Sequence, residues 1–180
     1  MHTIDTTNRP RHCRSRALLL GMSALAMVGL RAPEASADVL NFSTNIIPQI
    51  FGAAVVPVDL ATAGGAQTTL GFATAAPDLV EITFSAECSV LGTVFQYGSI
   101  QIEVDPAGPV GFTPVAPTAG PDDAFCSGNN IAGALDGYVT PSMTVVTRVP
   151  AGVHRVRVLA NAVGGAPQFR LDDLSLTVHN

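Results

Sequence analysis

The sequence predicts an all-β fold: an antiparallel β-sandwich of jelly-roll type, with seven or eight strands, occupying residues 38–180. Two observations predict it. From residue 79 onward, apolar and polar residues alternate with period two in runs separated by Gly and Pro turns. No stretch of ten residues shows the three-and-four apolar spacing of a helix.

The chain begins with the three parts of a secretory signal peptide. Arg9, Arg11, Arg14 and Arg16 supply a positive region. Residues 17–30 form a charge-free apolar run of 14 residues, shorter than the roughly 20 needed to span a bilayer. Ala35-Ser36-Ala37 then places small residues at a cleavage site, with the cut expected between Ala37 and Asp38. The arginines are not paired, which favours the general secretory (Sec) route over a twin-arginine one. The expected division is therefore 1–37, signal peptide, and 38–180, one domain. An uncleaved membrane anchor is the alternative. The missing lysine, beside abundant Ala, Gly, Val and Pro, suggests a high-GC bacterial genome.

Residues 45–52 are apolar without a clear period. Residues 55–60 and 68–74 are expected strands, separated by Ala63-Gly64-Gly65. The strongest signal is 79–90, where Val80, Ile82, Phe84, Ala86, Cys88 and Val90 share one face. Residues 95–105 follow, with Ile100, Ile102 and Val104 inward. There Phe95 and Tyr97 fall on the outward phase: either a bulge at Gly98 resets it, the favoured reading, or two aromatics are exposed side by side.

Residues 106–121 carry five prolines and three glycines and predict a long extended loop. Loops of that length are often functional. With Phe112 and Phe125, this one is a candidate contact loop.

The last third predicts a meander. Met143, Val145 and Val149 share a face in 142–149, and Pro150-Ala151-Gly152 is turn chemistry. Residues 153–161 turn Val156, Val158 and Ala160 inward. After Gly164-Gly165, residues 169–179 close the chain. Their apolar phase switches at Asp172-Asp173, between Leu171 and Leu174, as a β-bulge would produce.

Without the leader, four arginines face twelve acids, for a net charge of −8. Such a surface repels phosphate backbones and anionic lipid, which disfavours nucleic acid. No second apolar span exists, so no membrane span is expected after cleavage. Cleavage also removes Cys13 and leaves Cys88 and Cys126. In an oxidising compartment they are expected to pair with each other, two separately buried thiols being the alternative. Their loop of about 39 residues would be worth roughly 4 kcal/mol on the chain-entropy model.

Chemistry-bearing motifs are absent. His154 and His179 lie in no metal-ligand frame, and no nucleophile elbow is present. His154 is expected as a half-buried histidine beside a turn. Asp122-Asp123 and Asp172-Asp173 are candidate polar or calcium sites if the two pairs converge, since calcium takes six to eight oxygens. Otherwise they are a solvated turn and a bulge. No other cofactor is implied.

The TFSAEC core of residues 79–90, the VPAGVHRVRV phrase of 149–158 and the closing QFRLDDLSLTV of 168–178 resemble small secreted bacterial β-sandwich proteins of unknown function. The D-D-L-S-L phrase is also similar to the last strand of galactose-binding-like jelly rolls. That resemblance implies carbohydrate or surface binding, sometimes with structural calcium. The chain lacks tryptophan, which departs from typical sugar-binding members. Together these features predict a non-catalytic secreted binding or interaction module with an extracellular or surface ligand. A structural cell-surface or matrix component is the second reading, and a secreted hydrolase the third. Oligomeric state and a periplasmic or extracellular location stay open.

Overall fold

The computed structural model describes residues 38–61, 66–105, 111–115, 124–128 and 137–180. The leader, its cleavage site at Ala37, and Asp122 and Asp123 lie outside the described residues. Eleven strands form among the described residues. In chain order they are β1 (Val39–Asn45), β2 (Gln49–Phe51), β3 (Val56–Pro57), β4 (Leu70–Thr74), β5 (Asp78–Leu91), β6 (Tyr97–Asp105), β7 (Thr113–Pro114), β8 (Ala124–Ser127), β9 (Ser142–Val149), β10 (Gly152–Val163) and β11 (Gln168–His179). No helix among them is long and apolar enough to cross a membrane.

All the strand pairs are antiparallel and fall into two sheets. The first runs β1-β11-β5-β9, with β2 also on β11. The second runs β3-β10-β6-β7, with β4 also on β10 and β8 also on β6. Reduced to its eight main strands, successive strands alternate between sheets except at β6 and β8, which pair with each other, and the last two insert between earlier ones. That is the double Greek key of a jelly roll. The excess over seven or eight strands comes from the two- and three-residue pieces β2, β3 and β7.

Alternation places the core where the sequence predicts it. Val80, Ile82, Phe84, Ala86, Cys88 and Val90 are fully buried, and Ile100, Ile102, Val156, Val158, Leu171, Leu174 and Leu176 meet them from neighbouring strands. Phe84 on β5 packs on Phe125 of the opposite sheet, with ring centroids 5.6 Å apart. The Cys88–Cys126 disulfide links the same two strands, β5 and β8, with Cα atoms 6.2 Å apart.

Three local expectations resolve differently. Residues 95–96 precede β6 rather than join it, so Phe95 stands in a turn, 84% exposed. Gly98 keeps its inward phase against β10, with register unbroken from Tyr97 to Asp105. The irregularity lies instead on the β8 side, between Gly98 and Ser99. In the Pro-rich stretch, Thr113–Pro114 pairs with Glu103 and Val104 as an edge strand. Proline is tolerated at such an edge because no ladder bond is asked of it.

The aspartate bulge forms as expected. The β11–β5 register shifts between Asp172 and Ser175, and Asp173 takes φ 42°. The shift lets Leu171 and Leu174 both face the core.

Candidate functional site

The two outer faces of the sandwich differ in chemistry. On β10 and β6, register sets Arg155 opposite Asp105 and Arg157 opposite Glu103. Arg155 donates from Nε and Nη2 to Asp105 Oδ2, at 3.1 and 2.6 Å. Arg157 donates to Glu103 Oε2 at 2.6 Å, and Gln101 donates to Glu103 Oε1 at the same distance. Both carboxylates are buried. The Phe112 ring lies under both guanidiniums, 5.4 Å from that of Arg155 and 4.2 Å from that of Arg157. Charges and ring here largely satisfy one another, which is the arrangement of a structural ladder.

The outer face of the β1-β11-β5-β9 sheet carries hydroxyls instead. Register aligns Ser142, Ser85, Ser175 and Thr44 in one row across β9, β5, β11 and β1. The next row is Thr144, Thr83, Thr177 and Phe42. Neighbours within a row are about 4.8 Å apart, and rows on one strand face about 6.8 Å apart. Thr83 and Thr144 share a hydrogen bond of 3.0 Å, and Ser85 donates to Ser142 at 2.9 Å. A hydroxyl offers one donor and two lone pairs, so each keeps capacity for a further partner.

Beyond the second row the face dips into a depression of about 380 Å³ lined by Leu79, Glu81, Val146, His179 and Asn180. Glu81 and His179 are register partners, and Leu79 and Val146 are each about half exposed, at 51% and 56%. Hydroxyls, a carboxylate, an imidazole and two apolar side chains thus share one open surface. A second, smaller cleft of about 220 Å³ opens between the sheets beside Val104, Thr113, Val115, Arg148 and Val149.

The residues singled out from sequence are dispersed. Phe125 is a correction: at 8% exposure it belongs to the core against Phe84 and cannot serve as a solvent-facing contact. Phe112 is half-buried beneath the two arginines. Asp172 faces outward near Arg170, with a 3.6 Å ion-pair distance, and Asp173 is exposed. Their convergence with Asp122 and Asp123 lies outside the described residues. Among the described residues, no three His, Cys, Asp or Glu side chains gather to hold a metal ion.

His154 is fully buried rather than half-buried. Its Nδ1 lies 3.2 Å from the Asp105 carbonyl oxygen and its Nε2 lies 2.9 Å from that of Pro150. A ring so enclosed cannot act as a base on a solvent-borne substrate. The hydroxyl rows were not singled out from sequence. Their signal was present in the polar half of each alternating strand, but alignment into rows depends on register, which no single strand specifies.

No protein-family model matches the chain, and no curated protein matches it. Solved structures with similarity include a carbohydrate-binding module of Cellvibrio mixtus lichenase 5A in complex with cellotriose, 15% identical, TM-score 0.32, covering 79% of this chain and 98% of that one. The CBM22-1 xylan-binding domain of Paenibacillus barcinonensis Xyn10C is 10% identical, TM-score 0.34, covering 79% and 96%. Dimeric latent PorU of Porphyromonas gingivalis is 13% identical, TM-score 0.33, covering 81% of this chain and 14% of that one. Likenesses this shallow carry neither a ligand nor an activity.

Proposed function

We propose that this protein is a non-catalytic binding module that presents the outer face of its β1-β11-β5-β9 sheet to a neutral, hydroxyl-rich ligand, carbohydrate being the chemical class that fits. The observation that carries this reading is the pair of hydroxyl rows crossing the sheet. Sugar hydroxyls donate and accept as side-chain hydroxyls do, so paired rows offer complementary bonding without buried charge. Leu79 and Val146 supply apolar contact for the C–H faces of a ring. With no tryptophan in the chain, hydrogen bonding rather than indole stacking dominates.

The test is retention on immobilised neutral polysaccharides, followed by calorimetry on any that bind. Ser175→Ala combined with Thr177→Val removes two adjacent hydroxyls and should weaken binding about tenfold, the equivalent of ~1.4 kcal/mol, with little change in melting temperature. Binding unaffected by that pair, or no retention on any polysaccharide, overturns the reading. We further propose export with removal of residues 1–37. Amino-terminal sequencing of the protein recovered from a secreting bacterial host should then begin at Asp38, and an intact leader would overturn it.

A further inference from the structure

Exposed apolar side chains are unevenly distributed. Val39, Phe42, Ile46, Ile47, Ile50, Val55 and Val56 are 56, 65, 65, 51, 67, 60 and 39% exposed, and all come from one short segment. From Val39 to Val58 the sequence contains no ionisable side chain. The segment supplies β1, at the end of its sheet, then β2 on β11 and β3 on β10, so it runs along one flank of the sandwich from one sheet to the other. Isolated surface apolar residues need no explanation, but a flank of them marks a contact site.

We infer that this flank is where a second copy of the chain docks, with β1 of one protomer lying antiparallel beside β1 of the other about a two-fold axis. Charge chooses the partner. Residues 38–180 carry twelve acids against four arginines, so two copies repel wherever charged faces meet. The Val39–Val58 flank is a region on which like-charged copies approach without that penalty, and it offers a basic partner nothing to pair with.

Strand geometry agrees. β1 has neither the lysine nor the proline with which solitary edge strands block pairing. Phe42 is its central residue, so a two-fold there sets Phe42 beside Phe42 of the other copy, an aromatic cross-strand pair. A standard interface buries ~800 Å² per partner, and these seven exposed side chains would form its apolar centre. An axis normal to the sheet leaves both hydroxyl faces on the same side, but the inference does not depend on what those faces bind.

Sedimentation velocity and light scattering across a hundredfold concentration range test it. The purified protein should sediment as a dimer at high concentration. Phe42→Glu and Ile50→Glu should each shift it to monomer at the same concentration, with circular dichroism and melting temperature retained. Val153→Glu replaces a side chain 73% exposed on the other sheet and should leave the dimer intact. A monomeric wild type overturns the inference. So does a dimer that survives both flank substitutions, since association would then arise elsewhere, the apolar leader included.

Discussion

Gly98 on β6 lies against the ring of Phe169 on β11, so closely that a Cβ at position 98 would overlap the ring atoms. The contact joins the two sheets, because β6 and β11 belong to different ones. Phe169 also packs on Phe51, with centroids 5.8 Å apart. Gly98→Ala should therefore destabilise the protein by about 3 kcal/mol, the upper end for overpacking a well-filled core. Urea unfolding measures it. Phe169→Leu in the Gly98→Ala background should cost less than the two single effects added, because each change makes room for the other.

The Cys88–Cys126 bond closes a loop with a sequence separation of 38. Replacing both cysteines with alanine should lower stability by roughly 2–4 kcal/mol. Thermal unfolding with and without reductant should show the same loss for the wild type and none for the double variant. Alkylation of the native protein should label neither cysteine.

Glu103 is buried, its side chain 7% exposed, whereas its partner Arg157 is 31% exposed. Removing the arginine leaves a carboxylate held against the sheet with Gln101 as its remaining donor. Arg157→Met should cost about 2 kcal/mol, below the 3–5 of a fully buried pair because Arg157 is partly solvated. Replacing both members, Glu103→Leu with Arg157→Met, should recover most of that loss. Chemical denaturation of the three variants checks the ordering.

Asp173 occupies the left-handed region, φ 42°, at the bulge of β11. A β-branched side chain tolerates that conformation poorly, so Asp173→Val should cost about 1–2 kcal/mol. Asp173→Gly removes the steric strain and should be neutral or slightly stabilising. Melting temperatures of the two variants should therefore move apart, although the side chain is exposed and packs in no core.

Strands buried on one face were legible because their alternation is chemical: β5, β9, β10 and β11 are found within two residues of their expected limits. β1 was not, and its side chains explain why. Asn41, Ser43 and Asn45 donate to the backbone carbonyls of Gly71, Leu60 and Asp59, while Phe42 points to solvent. The usual pattern is inverted, with polar residues stitching β1 to backbone carbonyls of residues 59–60 and of β4. The candidate site was hidden differently. Ser85, Ser175 and Thr177 are ordinary outward residues in isolation and become a surface only through register.

The position of β11 has a consequence for how the chain can be made. It lies between β1 and β5, so the first and fifth strands meet only through a twelve-residue strand that is made after both of them. A growing chain cannot assemble this sheet before β11 emerges, and nearly all its pairings are distant in sequence. Loss of β11 would therefore leave β1 and β5 with no shared partner and divide this sheet in two.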